Sequence, residues 1–249
     1  MGSLILQLAL KKSEFDVVSV IEKKGHPDIG KEVFPGIIIK DDLEKVAEGK
    51  EVIIDFTSPV STIDFLKIAE EKENPVVIGT TGFTKEQIDF IKETSKKIPI
   101  LISPNMSFGV NYLFEIINFA AKLLKKYEVE IIETHHHNKK DAPSGTAKKI
   151  SEIICNIYGK NPEKVLKYGR KGFTGEREKD EIGIHSIRIG NVVGEHTVLF
   201  GGEGEIIEIS HRCFDRSAFA IGALESAKFI YRKKPGLYSI KEVINDRNK

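Results

Sequence analysis

The chain has almost no cysteine: Cys155 and Cys213 are the only two among 249 residues. Two cysteines do not make a disulfide framework, and a reducing, cytoplasmic setting is the simple expectation. Charge of one sign is not in excess either. There are 38 Lys and Arg against 37 Asp and Glu, a formal net charge of +1. That balance makes no electrostatic case for a nucleic-acid or membrane-surface partner. No segment approaches the length of a bilayer-spanning helix, no secretory leader is expected, and no internal repeat or low-complexity segment is evident. The length fits one large domain or two modest ones.

What is present is concentrated in one place. Residues 133–147 read Glu-Thr-His-His-His-Asn-Lys-Lys-Asp-Ala-Pro-Ser-Gly-Thr-Ala. Residues 129–133 predict a strand, with His135, His136 and His137 where it ends. Pro143 and Gly145 predict the turn, and residues 147–158 a helix with Ile150, Ile153, Ile154 and Ile157 on one face. Ser144 is the expected N-cap, and Cys155 an expected core residue of that helix. Imidazoles donate protons near neutral pH, and Lys139 and Lys140 attract carboxylates. Backbone N–H groups at a helix start bind anions. The mixture points to a site that binds an anionic substrate and moves a proton. If residues 133–137 stay extended, His135 and His137 share one face and His136 points the other way. A His-x-His pair can also bind a metal. Glu133 and Asp141 are close in sequence but complete no obvious catalytic set, so no metal is expected. His185 and His211 fall in predicted strands and are expected to be structural.

The first half reads as α/β. Strands are predicted over 51–56, 75–79 and 98–102, and helices over 62–71 and 84–96. A small-residue turn follows each strand, at the carboxyl end where open parallel sheets bind ligands. Residues 2–10 predict an amphipathic helix. Residues 15–22 predict a buried strand ending in Glu22, the position of the acid that bonds an adenosine ribose in dinucleotide-binding units. Lys23 and Lys24 follow, where they would meet a ribose 2′-phosphate or stand as solvated loop charges. The first strand and Gly-rich turn of such a unit are not seen before residue 2, so roughly fifteen residues, one strand plus a turn, are expected upstream. The pattern changes near Ser107. A long helix over 111–127, a polar Gly-rich loop over 168–177, strands over 182–188, 192–200 and 205–212, and a helix over 216–231 are predicted.

The run HHHNKKDAPSGTA resembles the signature of the 4-hydroxy-tetrahydrodipicolinate (dihydrodipicolinate) reductase family. That pattern is a strand ending in Glu, paired histidines, a Lys four residues after the first, then Asp-Ala-Pro-Ser-Gly-Thr-Ala. Glu133, His135, His136, Lys139 and residues 141–147 match it, and His137 stands where the family varies. The stretches around Asp55, Gly79, Asn105 and Gly194 also resemble family landmarks, and Met1-Gly2 resembles the end of the family's Gly-rich turn. The resemblance implies a Rossmann-like parallel-sheet domain, without its first strand and Gly-rich loop, over 1–106 and 215–249. It implies an α+β substrate-binding and tetramerisation domain with a mixed or antiparallel sheet over 107–214.

The same resemblance implies NADH- or NADPH-dependent reduction of a cyclic dicarboxylate imine in the diaminopimelate and lysine pathway. His135 would donate the proton and Lys139 would be the second catalytic group. His136, Gly145 and Thr146 would hold the substrate. Met1, Glu22, Lys23, Gly79, Thr80, Thr81, Ser103, Pro104, Asn105 and Met106 would contact the cofactor. Arg216 resembles a position near the substrate end of the cofactor, with a surface ion pair as the competing reading; His196 lies in a family-like stretch but receives no chemistry. Two other readings stay open: a different NAD(P)-dependent amino- or keto-acid dehydrogenase, and a catalytically impaired relative serving as a binding or assembly module.

Overall fold

In the computed structural model, which describes residues 1–49 and 51–247, the chain divides into two compact units. One comprises Met1–Phe108 with Ser217–Lys249, the other Gly109–Arg216. The class is α/β: a Rossmann-like parallel-sheet unit, and a second unit with a mixed sheet.

The first unit opens with helix α1 (Gly2–Ala9). Strands β1 (Val20–Ile21), β2 (Glu32–Phe34) and β3 (Ile37–Lys40) form a small sheet in the order β1-β3-β2. The main sheet is parallel, with β4 (Ile53–Asp55), β5 (Val76–Ile78), β6 (Pro99–Ile102) and β12 (Gly236–Tyr238) in the order β12-β6-β5-β4. Helices α2 (Pro59–Glu71) and α3 (Lys85–Ser95) connect its strands. Each begins where its sequence provides a cap. Ser58 accepts from Ser61 N–H before Pro59, and Thr84 makes a reciprocal capping box with Gln87. Strand β5 is buried throughout, as a central parallel strand should be. Helices α7 (Ser217–Ile230) and α8 (Ile240–Arg247) complete the unit. Ile5 and Ala9 of α1 pack with Ala220, Ala223 and Leu224 of α7 in one core; Leu66, Ile78, Ile91 and Ile100 belong to another.

The strand expected over residues 15–22 is much shorter. Only Val20–Ile21 is in strand, paired in parallel with Ile39 and Lys40 rather than with the main sheet. The residues before it are not continuously buried: Val18 is 57% exposed. Between β1 and β4 lies a cleft of about 160 Å³, lined in part by Val18, Ser19, Ile21, Ile53 and Asn74. Ser19 Oγ and Asn74 Oδ1 are buried without a hydrogen-bond partner.

Helix α4 (Phe108–Leu123) leads into the second unit. There β7 (Glu128–His135), α5 (Gly145–Tyr158), α6 (Pro162–Val165), β8 (Leu166–Tyr168), β9 (Ile182–Arg188), β10 (Gly194–Gly201) and β11 (Ile206–Cys213) follow. The sheet order is β11-β10-β7-β9-β8. Strand β7 is central, parallel to β9 and antiparallel to β10. One face carries buried Val129 and Ile131, which join Ile150, Ile154 and Cys155 of α5 and Val198 and Phe200 of β10 in the core. On that same face the last two alternate positions are Glu133 and His135, both buried. The alternation that builds the core therefore delivers an acid and an imidazole to the strand's end. No helix among the described residues is long and apolar enough to cross a membrane.

Candidate active site

The Glu133 carboxylate is fully buried, with its side chain 0% exposed. Oε2 lies 2.5 Å from Nδ1 of His135. Arg188 grips the same carboxylate with both terminal nitrogens, each at 2.8 Å. The backbone N–H of Ser144 donates to Oε1 at 3.1 Å. Sheet register explains the meeting: His135 is the parallel partner of Arg188, and Glu133 the antiparallel partner of His196. Burial pushes the Glu133 pKa upward. Hydrogen bonds from His135, Arg188 and Ser186 outweigh it and hold the carboxyl well below the usual range. Glu133 is therefore an anion, able only to accept, so Nδ1 of His135 carries the proton and donates it.

Ser144 caps α5, its Oγ accepting from Ala147 N–H at 3.2 Å. It also lies 3.0 Å from Nε2 of His196. His196 is buried edge-on against His135, ring centres 5.2 Å apart. Burial first, then the neighbouring His135, pushes the His196 pKa down to about 3, so this imidazole is neutral. Gly194 is close as well: a Cβ there would stand 3.0 Å from Nε2 of His135. His196, Arg188 and Gly194 were given no role from sequence. Gly194 and His196 lie in the family-like stretch over 194–200, and Arg188 lies outside it.

The extended geometry considered for residues 133–137 ends at His135. Residues 136–139 turn, with Lys139 N–H donating to His136 O at 3.1 Å. His137 is drawn aside to Gly190, whose carbonyl accepts from its backbone N–H at 3.1 Å and its Nδ1 at 2.8 Å. His136 is half-buried. Its pKa is lowered first by desolvation, then by the positive field of Arg216, His135 and Lys139. Lys139 pairs with Asp141 at 2.8 Å, which holds that carboxyl below its ordinary value. Gly145, exposed, starts α5, and Thr146 follows it. His135, His136, Lys139 and the start of α5 thus belong to one end of the second unit. His185 is engaged on the opposite face of β7, 2.7 Å from Glu130.

The positions expected to contact a cofactor lie in the first unit. Gly79, Thr80 and Thr81 follow β5, and Ser103, Pro104, Asn105 and Met106 follow β6, at the carboxyl edge of the parallel sheet. Gly79 passes over the Phe56 ring so closely that a Cβ would lie 2.3 Å from it. Thr80 turns its hydroxyl inward to Asp55 at 3.1 Å, while Thr81 is exposed. Asp55 also accepts from Thr57 N–H at 3.0 Å, and from the hydroxyl of Thr62, so one buried carboxylate fixes both turns. Ser103 Oγ donates to Asn105 O at 2.8 Å, and Ser107 N–H to Asn105 Oδ1 at 2.9 Å. Met106 is pinned where α7 comes closest, since a Cβ on Gly222 would sit 1.7 Å from Met106 O. Glu22 ends β1, accepting from Lys23 N–H at 3.1 Å. Met1 is the N-cap of α1. Glu22 lies beside the small sheet, not on the four-stranded one. Pre-shaped turns at a parallel sheet's carboxyl edge, with Thr81 exposed and an acid just after a neighbouring strand, fit a dinucleotide.

One unit with a parallel α/β sheet, and another with a mixed sheet carrying an acid–imidazole pair at a helix start, define a two-unit protein of the nucleotide-binding α/β class. The chain belongs to the dihydrodipicolinate reductase family. Residues 1–106 match the family's N-terminal part and residues 109–244 its C-terminal part. A 4-hydroxy-tetrahydrodipicolinate reductase from Syntrophus aciditrophicus (strain SB) is 42% identical over 256 residues, covering 100% of this chain and 96% of that relative. One from Trichlorobacter lovleyi is 43% identical over 236 residues, covering 92% and 89%. Among solved structures, the dipicolinate-bound dihydrodipicolinate reductase from Paenisporosarcina sp. TG-14 superposes with a TM-score of 0.77 at 25% identity, covering 96% of this chain and 92% of that one.

Proposed function

We propose that this chain reduces 4-hydroxy-tetrahydrodipicolinate to tetrahydrodipicolinate with NADH or NADPH, releasing water, in the diaminopimelate and lysine pathway. Its family and its relatives' names support the reaction. The observation that carries the mechanism is the Glu133–His135 pair beside the first turn of α5. Loss of water leaves the ring with a conjugated C=C–C=N system. Reduced nicotinamide, when bound, would supply hydride to that system. The displaced electron pair moves toward the ring nitrogen, and His135 delivers the balancing proton from Nε2. The net change is one hydride and one proton gained and one water lost.

The other residues bind and orient. Lys139 neutralises developing negative charge, released from Asp141 to do so. His136 touches the substrate. Gly145 and Thr146 present backbone N–H groups, and Thr146 its hydroxyl, to one carboxylate, at the end of a 14-residue helix where anions are favoured. In the first unit, residues 79–81 and 103–106 hold the nicotinamide half, Met1 borders the pyrophosphate, and Glu22 bonds the adenosine ribose. Lys23 and Lys24 pair with a 2′-phosphate when NADPH binds, so both cofactors are used.

We also assign the second unit to a homotetramer and the protein to the cytoplasm. In support, β11 is an eight-residue edge strand with Ile206 68% and Ile207 38% exposed, an edge that pairing with another copy would cover. Both cysteines are free, as a reducing compartment requires.

The test is NAD(P)H oxidation with substrate formed in place from pyruvate and aspartate semialdehyde by the preceding synthase. Turnover with both cofactors at similar kcat/KM is expected, and no turnover with either overturns the reaction. Light scattering on the eluting protein checks for four chains.

A further inference from the structure

Glu133 contacts both halves of the proposed site at once. Its Oε2 takes Nδ1 of His135 at 2.5 Å, and its Oε1 takes the N–H of Ser144, the cap of α5, at 3.1 Å. Arg188 bonds both oxygens at 2.8 Å, and its Nη2 reaches further, to the backbone carbonyl of Asp141, also at 2.8 Å. The acid, the cap of the helix start and the turn between them therefore share one ionic centre. This centre is sealed: the side chain of Glu133 is 0% exposed and that of Arg188 20%. A buried carboxylate with one partner would be costly. With a bidentate guanidinium, an imidazole and a backbone N–H it is satisfied.

We infer that Glu133 and Arg188 are positioning residues for the proposed reduction: Glu133 fixes the tautomer of His135 so that Nε2 faces the substrate, and Arg188 holds Glu133 to the turn that carries the substrate-binding helix start. The inference rests on the reductase reading above for its kinetic part, but not for its tautomer part. An anion at Nδ1 admits one neutral tautomer, with Nδ1 protonated and Nε2 bare. On protonation Nε2 then carries the transferable proton. The same logic governs carboxylate–histidine pairs in general, where the acid orients the ring and selects its tautomer without touching substrate. The surroundings agree. Gly194 leaves open the space beside Nε2 that a Cβ would enter at 3.0 Å. His196, neutral and packed edge-on at 5.2 Å, braces the ring without competing for the Glu133 proton contact.

The groups around the Glu133–His135 pair come from four directions. Glu133 lies on the strand of His135 itself, Arg188 on β9, His196 on β10, and Lys139 and Ser144 on the segment leading to α5. Among the described residues, only Glu133 bonds Nδ1. Glu133→Gln keeps the shape, removes the charge and lets an amide N–H₂ face the ring.

The experiment uses the whole protein, labelled with ¹⁵N in its histidine rings, with His135 assigned by comparison with His135→Asn. Two-bond proton–nitrogen spectra report the tautomer, and steady-state kinetics report kcat and KM. NADPH binding is followed by fluorescence. In the unsubstituted protein neutral His135 should be the Nδ1–H form. In Glu133→Gln the two tautomers should mix, kcat should fall about 10²-fold, and the dissociation constant for NADPH should stay within about twofold. Arg188→Lys, which keeps the charge but not the two-toothed grip, is the second variant should Glu133→Gln not fold. It should lose about tenfold in kcat with NADPH binding unchanged. An Nε2–H tautomer in the unsubstituted protein overturns the inference. So does unchanged kcat in whichever variant folds. Absence of turnover in the unsubstituted protein would instead strike the reductase reading, and the tautomer spectra would still decide this one.

Discussion

Glu133 and His135 stand two positions apart on one face of β7, carboxylate to Nδ1 at 2.5 Å, and both are buried. In that arrangement the ring's free nitrogen is Nε2. Replacing the ring therefore removes the donor without disturbing the first unit. His135→Gln should lower kcat by about 10²- to 10⁴-fold with a smaller change in substrate KM, the usual weight of a general acid. Lys139→Ala should damage both parameters, because in the proposed reaction its ammonium serves binding and charge stabilisation alike. Steady-state kinetics separate the two patterns; unchanged turnover in His135→Gln would remove the proton-donor assignment.

A side chain at Gly194 should displace the His135 ring. A Cβ would lie 3.0 Å from Nε2 and 3.4 Å from Cδ2 of His135. Gly194→Ala should push the ring off its line and cost about 10- to 100-fold in kcat, the effect of a displacement of under an ångström at a reacting centre. Its thermal midpoint should change little, since the ring rather than the backbone yields. Equal turnover would mean that the imidazole moves on binding substrate.

Gly79 makes the corresponding prediction for the first unit. A methyl there would meet the Phe56 ring at 2.3 Å. Gly79→Ala should destabilise by about 1–3 kcal/mol through overpacking and weaken NADPH binding, with the second unit's chemistry untouched. Thermal melting with and without NADPH checks both effects.

Acid should unfold the protein in two overlapping ranges. His196 is neutral in the fold, with a pKa of about 3 against an ordinary 6.5. The unfolded chain takes up this proton first, so stability falls as pH drops from 6.5 toward 3. Glu130 is also buried in part. The upward push of burial is outweighed by Arg170, His185 and Arg177, leaving its pKa at about 2 against 4.5. Its contribution is complete above 4.5 and is lost as pH falls toward 2. That shift corresponds to on the order of 3 kcal/mol. Urea midpoints from pH 7 to 2 should decline throughout, and His196→Asn should flatten the upper range. A flat profile above pH 4.5 would refute the His196 part.

Much of this was legible in the chain itself. Ser144 and the periodic isoleucines mark α5 from its cap onward. The two-residue alternation of 129, 131, 133 and 135 marks β7. Gly194 and His196 showed only as part of a family-like stretch, and Arg188 carried no signal at all. They reach Glu133 and His135 only through the parallel register of β9 and the antiparallel register of β10, and register is a property of the assembled sheet. Val17 and Val18 misled for the opposite reason. An apolar run reads as a strand wherever it occurs, yet here only Val20 and Ile21 find a partner, in β3.

The two faces of β7 carry different charged centres: Glu133 with Arg188 on one, Glu130 with Arg170, Arg177 and His185 on the other. A slip of one residue would exchange the faces, placing Glu130 among Ile150, Ile154 and Phe200 and turning His135 away from them. A misaligned sheet would thus bury an unmatched anion and be expelled by its own energetics. The strand proofreads its alignment during folding, and a molecule whose central sheet has closed correctly has, by the same act, set the His135 ring on the Glu133 carboxylate.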